Sequence, residues 1–232
     1  MKIAVQGCTH GELECIYDAI EHIQVEKSIK IDMLICCGDF ESIRDEFDMD
    51  SVAVPDKYRA LKTFHKFYTG ERKAPCLTIF IGGNHEASNY LAELPFGGWV
   101  APNIYYLGYA GCIRIGNQKT GIRVGGISGI WKAHDYRKGH FEMPPFDPDT
   151  LRSIYHQRCL EVFRLKQMSN EINKKNNRFD IFLSHDWPKG VHAFGDEQAL
   201  VNRKKHFKGE IDTGTLGSPA CSEILYSAFR NR

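Results

Sequence analysis

Four apolar runs of five residues, each closed by glycine or serine and then by polar residues, constrain this chain more than any other feature. Lys2–Gln6 leads into Gly7-Cys8-Thr9-His10-Gly11, and Met33–Cys37 into Gly38-Asp39. Leu77–Ile81 leads into Gly82-Gly83-Asn84-His85-Glu86, and Phe179–Leu183 into Ser184-His185-Asp186. Runs this short and rich in Ile, Leu, Val and Phe read as strands buried on both faces. Between the early runs, Leu13, Ile16, Tyr17, Ile20 and Ile23 recur at helical spacing, and so do Tyr58, Leu61, Phe64 and Tyr68. Alternation of strand and helix predicts a largely parallel sheet with right-handed crossovers.

Downstream, Asn103–Leu107, Cys112–Ile115 and Ile122–Gly125 lie close together with turn residues between them and predict a meander in a second sheet. Asp149 or Thr150 caps a further expected helix with Leu151, Ile154, Tyr155 and Val162 inward, and the polar run Ser169–Arg178 is expected to be a loop. No internal repeat or linker interrupts the 232 residues, which are expected to form a single domain.

Composition removes several function classes. Lys plus Arg total 30 against 29 Asp plus Glu, a net charge of +1. This excludes a uniformly basic nucleic-acid coat protein and an acidic disordered chain, and leaves a local basic patch open. Eight cysteines without a Cys-x-x-Cys pair argue against a zinc ribbon or a thioredoxin-type motif, and predict reduced thiols inside a cell. Polar residues break any leader-like run at the start. The uncharged stretch Leu94–Ile113 holds Pro95, Pro102 and four glycines, so a soluble chain with no membrane association is expected.

Ligands of open α/β sheets bind beyond the carboxyl ends of the strands. Those ends here carry Cys8 and His10, then Asp39, then Asn84 and His85, then His185. Thiolate, imidazole, carboxylate and amide oxygen are the donors that hold divalent transition metals. Each has an ordinary alternative: Cys8 as a small buried apolar residue, His10 as a hydrogen-bonded core histidine, Asp39 as a helix cap, Asn84-His85 as turn chemistry. Ser184-His185-Asp186 cannot be a serine-hydrolase triad, because neighbours on a strand point to opposite faces. Cys36, Cys37, Cys76 and Cys112 are expected in the core. Together the donors at four strand ends make one constellation.

Gly38-Asp39 with Gly83-Asn84-His85-Glu86 resembles the signature of calcineurin-like metallophosphoesterases, and Gln6-Gly7-Cys8-Thr9-His10-Gly11, with Cys where most members carry Asp, is similar to the RNA lariat debranching enzymes among them. The resemblance runs to about Tyr226 and includes Gly125–Trp131, His134–Phe141 and Ser184–Pro188. It implies an α/β sandwich of two sheets flanked by helices, and a metal-dependent phosphodiesterase that hydrolyses the 2′,5′ branch of excised intron RNA lariats. It implies two divalent ions (Fe, Zn or Mn), one held by Cys8, His10 and Asp39, the other by Asp39, Asn84 and His185, with His85 as general acid to the leaving 2′ oxygen. Two cations at about 3.5–4 Å stabilise the attacking and leaving oxygens of such a displacement. Thiolate at Cys8 favours iron or zinc over magnesium.

Trp131, Lys132, His134, Tyr136, Arg137, Lys138 and His140 interleave cations and rings, as single-stranded RNA recognition requires, or make an ordinary solvated loop. The resemblance implies a lariat-recognition loop there, at about 128–158, and hence branched RNA as the partner, no obligate protein partner, and a nuclear location with a cytoplasmic fraction. Arg203-Lys204-Lys205 is too short to carry a nuclear signal by itself. Family members also carry a late His-x-His, one imidazole per ion. The sequence runs Ser227-Ala228-Phe229-Arg230-Asn231-Arg232 without one. The expectation is therefore a shortened form with impaired hydrolysis. The alternatives are an RNA-binding fragment without turnover, and a metallophosphoesterase acting on other phosphoesters.

Overall fold

The computed structural model describes residues 1–117, 120–174 and 179–229. The first apolar run forms β1 (Ile3–Gln6), followed by α1 (Leu13–Lys27), β2 (Met33–Cys37) and β3 (Leu77–Ile81). Next come β4 (Gly98–Ala101) and β5 (Ile104–Tyr106), then β6 (Ala110–Ile115), β7 (Ile122–Ile127) and β8 (Ile181–Ser184). The first sheet has the order β1-β2-β3-β5-β4, parallel except for β4 on β5; the second has the order β6-β7-β8.

Period-two alternation sorts the side chains of β2 and β3 between two cores. Met33, Ile35, Ile79 and Ile81 face the second sheet and pack with Leu107, Val124 and Leu183. Leu34, Cys36 and Phe80 face the other way, onto Leu13, Tyr17 and Ile20 of α1 and onto Phe64 and Phe67. A third cluster backs the second sheet, where Val162 and Leu165 meet Ala220, Cys221 and Ile224 over Ala110 and Ile127. Helices thus cover both outer faces of a two-sheet sandwich, as the resemblance implied. Among the described residues no helix is long and apolar enough to cross a membrane.

Five expectations are corrected. β1 is not buried on both faces: it is a sheet edge, and Val5 is 69% exposed. The spacing of Tyr58 to Tyr68 does not make one helix. A 3-10 turn at Asp56–Tyr58 ends in an extended Arg59, Lys62 sits at φ +55°, and the helix starts only at Phe64. Asn103–Leu107 does not join the expected meander, because β5 pairs with β3 in the first sheet. The helix begun at Thr150 stops at Ser153, since Ile130 binds the backbone of Tyr155 and Gln157 on its flanks; a new helix then runs Cys159–Lys174. That helix also takes the first part of the expected Ser169–Arg178 loop, and residues 175–178 lie outside the described residues.

The cysteines follow expectation in part. Cys36 and Cys76 are buried, Cys37 and Cys112 half-buried, and all eight are free thiols.

Candidate metal centre

Four strand ends meet at one point because backbone groups tie them together. The N–H groups of Thr9 and His10 both donate to the Asp39 carbonyl, at 3.2 and 2.7 Å, and the Thr9 hydroxyl donates to it at 2.9 Å. This draws the turn after β1 onto the turn after β2. His10 and Asp39 both adopt left-handed backbone, φ +46° and +47°, a conformation held only where surrounding bonds impose it. The turn after β3 is fixed by Asp39, whose Oδ1 accepts from the N–H groups of Asn84 and His85 at 2.9 Å each. Glu86, fully buried, accepts from the N–H groups of Gly83, Phe40 and Glu41 at 2.7–2.9 Å and so locks the second turn to the third. Burial, with the Asp39 charge added, pushes its carboxyl up to about 8 against those three bonds.

The donors' free electron pairs are aimed by what holds their other atoms. His185 Nδ1 lies 2.8 Å from the Cys37 carbonyl, which can only accept, so Nδ1 carries the proton. Nε2 then faces inward, 3.2 Å from Asn84 Oδ1 and 3.5 Å from Asp39 Oδ1. In the neutral ring these three atoms present lone pairs to one point, which a divalent cation satisfies. His10 is oriented alike: Nδ1 is 3.1 Å from Glu41 Oε1 and Nε2 is 3.9 Å from Asp39 Oδ2. Carboxylate or carbonyl support behind a ligating imidazole is the usual arrangement in metal sites. Partial desolvation of the sulfur and the Asp39 carboxylate push the Cys8 thiol up to about 11, a repulsion that a bound cation relieves. The donor set fits divalent metal.

The structure brings Cys8, His10, Asp39, Asn84 and His185 together as one group. Donor atoms of Cys8, Asp39 and His185 lie within 4.8 Å of one another, and so do those of His10, Glu41 and His85. His85 lies beside the donors, its ring centroid 5.5 Å from that of His10, and burial lowers its pKa against the pull of Asp39.

The residues of the 131–141 loop divide. Lys132, His134 and Lys138 line an open cavity of about 440 Å³ with Phe141, Arg152 and Tyr155. Trp131 and Tyr136 instead pack against the third core cluster, and Arg137 is exposed outside the cavity lining. His140 stacks on Tyr109 with ring centroids 4.2 Å apart and lies 3.2 Å from Glu161. The loop is anchored by Asp135, whose carboxylate lies 2.6 Å from His156 and 2.7 Å from Lys138. His134, Asp135 and His156 form a further trio of metal-ligand type, but the ammonium of Lys138 and the nearby guanidinium of Arg158 already neutralise that carboxylate. It is an ion-pair hub.

Sequence reasoning gave no role to Glu41, Glu86 or Arg158. The Glu after Gly83-Asn84-His85 was a visible signal for Glu86; nothing local marks the other two.

Similarity to known proteins agrees with this geometry. A 225-residue match to lariat debranching enzyme A of Xenopus laevis is 57% identical, covering 97% of this chain and 40% of that protein. The lariat debranching enzymes of Danio rerio and Homo sapiens are 56% and 54% identical over the same share of this chain, and 38% and 39% of their own lengths. The chain thus spans about two fifths of the length of these relatives. Residues 1–211, which carry every donor of the centre, match the calcineurin-like phosphoesterase family, and with donors, sheets and sequence in agreement the chain belongs to that family of hydrolases.

Proposed function

We propose that this protein is a metal-dependent phosphodiesterase that hydrolyses the 2′,5′ branch of lariat RNA. The observation that carries the reading is a pair of features in one chain: a converging set of Cys, His, Asp and Asn donors, and a cavity of the 131–158 loop lined by Lys132, Lys138, Arg152 and the rings of Phe141 and Tyr155. Cys8, His10, Asp39, Asn84 and His185 would hold two divalent ions, with Asp39 shared. Bound there, the ions would supply positive charge against the negative charge developing on the phosphoryl oxygens and would acidify a water. The thiolate of Cys8 supports iron or zinc, with manganese also admitted, over magnesium.

The chain's own groups supply the rest. Asp39 holds the N–H of His85 and so fixes where its imidazole stands. From there His85 donates a proton to the leaving 2′ oxygen. Glu41 and the Cys37 carbonyl keep the two ligating imidazoles in their working tautomer. In the loop cavity, Lys132 and Arg152 hold phosphates while Phe141 and Tyr155 offer faces to unpaired bases. A nuclear site of action belongs to the same proposal; it is supported by the similarity to lariat debranching enzymes and checked by imaging the tagged protein.

His85→Ala should lower turnover of branched RNA on the order of 10²-fold while the metal content per chain stays at the wild-type value. Equal turnover would remove His85 from the mechanism. A metallophosphoesterase of small phosphoesters would share the metal donors without needing the cavity. Lys132→Ala combined with Arg152→Ala separates the readings: kcat/KM for branched RNA should fall at least about tenfold further than kcat/KM for a small aryl phosphodiester, which cannot reach the cavity. Parallel losses would favour the small-phosphoester reading.

A further inference from the structure

A second cavity, of about 490 Å³, is lined by His10 and His85 together with Lys57, Tyr58, Arg59 and Lys62. It shares no lining residue with the cavity of the 131–158 loop. Its rim is the stretch whose spacing suggests helix and whose backbone is not helical. The extended Arg59 and the left-handed Lys62 turn three cations toward one opening instead of spreading them around a helix. The rim is also fixed to the metal-donor turn: the Thr63 N–H and hydroxyl both donate to the Gly11 carbonyl, at 3.2 and 2.7 Å, one residue after His10.

The charges of this rim are incompletely used. Lys62 pairs with Glu12 at 2.8 Å, and Arg59 pairs through Nη1 with Asp56, which is itself almost wholly exposed. The Lys57 ammonium lies 4.7 Å above the Tyr58 ring, with no carboxylate partner among the described residues. The Arg59 Nε–H is shielded from water and meets no acceptor, a condition that costs a folded chain free energy unless something else supplies the oxygen. Glu41 faces the same cavity but is occupied by His10. Tyr58, 63% exposed, offers an aromatic face at the mouth.

We infer that this cavity takes one single-stranded arm of the RNA, with a phosphate on Lys57 and Arg59 and a base stacked on Tyr58, leaving the 131–158 loop for another arm. The inference rests on the proposed branched-RNA substrate and gives it a geometry. A branch nucleotide joins three strands, and one groove cannot guide three chains away from a single reacting phosphate. Backbone charge and ring stacking are sequence-tolerant, so this arm is read by shape and not by base identity.

The test is fluorescence anisotropy with a branched RNA carrying a non-hydrolysable 2′ linkage, against versions lacking each arm in turn, over a salt series. Lys57→Ala with Arg59→Ala should weaken binding of the three-armed ligand roughly tenfold or more and flatten the log–log salt slope by about 1.4, the value for two phosphate contacts on a single strand. Tyr58→Ala should weaken it by a similar factor with the slope unchanged. Removing one particular arm should make wild type and variants bind alike, which identifies the occupant. The inference is overturned if the variants bind the three-armed ligand as wild type does, or if they weaken every truncated ligand equally. If wild-type protein does not prefer branched over linear RNA, the debranching reading itself fails, a distinguishable result. Thermal unfolding of the variants at the wild-type temperature guards against a folding artefact.

Discussion

Gly38→Ala should leave a folded protein that binds metal poorly and turns over the proposed substrate, branched RNA, roughly 10³-fold more slowly. A Cβ at this position would stand 2.3 Å from Nδ1 and 2.7 Å from Cγ of His185, and no side chain tolerates such contact. The backbone there is at φ +105°, outside what an L residue adopts readily. Relief requires moving the imidazole, and two consequences follow. The bond from Nδ1 to the Cys37 carbonyl breaks, which frees the tautomer, and Nε2 leaves Asn84 and Asp39. Loss of one supporting partner costs a metal site about 10–100-fold, so losing the support and displacing the ligand compound to about 10³-fold. Metal per chain by elemental analysis, read beside turnover, checks the chain of cause. Gly209→Ala, where a Cβ meets nothing within 4 Å, serves as control. If Gly38→Ala retains wild-type metal content, His185 does not belong to the centre.

The same glycine shows why so much of the site was legible. Apolar run, glycine, donor is a local pattern, and the fold places the ends of β1, β2, β3 and β8 together because parallel strands share a direction. The buried halves of β2 and β3 were legible for the same reason. The losses came where the deciding contacts are remote. Tyr58, Leu61, Phe64 and Tyr68 keep helical spacing, yet the tie from Thr63 to Gly11 and the left-handed Lys62 override it. Trp131 and Tyr136 read as stacking platforms from their cationic neighbours, but alternation of rings and charges does not say which ring faces a core; here both face the helices Cys159–Lys174 and Pro219–Phe229. Glu41 and Arg158 bind partners far along the chain, His10 and Glu142 among them. No window of sequence contains both halves of such a bond.

Arg158→Met should destabilise the protein by about 3–5 kcal/mol, the usual consequence of removing one member of a buried ion pair. Arg158 is fully buried. One of its nitrogens meets the buried Glu142 carboxylate and the Ser153 carbonyl, and another donates to the Asp135 carbonyl at 2.8 Å. Its loss leaves a desolvated anion inside the 131–158 loop. Denaturant unfolding of chelator-stripped protein measures this without metal linkage, and heating should show a fall of about 6–20 °C for a chain of this size. Adding Glu142→Met should recover part of the loss, since the stranded charge goes with it, though the Ser153 and Asp135 carbonyls keep only the backbone N–H groups of His156 and Lys138 as donors. Acid supplies an independent reading. Burial opposes ionisation of Glu142, but hydrogen bonds from His140 and Ser153 and the Arg158 charge outweigh it and bring its pKa down to about 2. Asp135, likewise opposed by burial, is brought down to about 2 by Lys138 and His156. Carboxyls lowered in the fold stabilise it fully above their ordinary range, and the contribution is lost as pH falls from about 4.5 toward 2. The neighbouring histidines shift in opposite senses: burial lowers His156 against its bond to Asp135, while Glu142 and Glu161 raise His140 against burial. Stability of the wild type should therefore drop steeply between pH 4.5 and 2, and less steeply in Arg158→Met. A variant as stable as wild type at pH 7, with the same acid slope, would show that the guanidinium does not hold this loop in place.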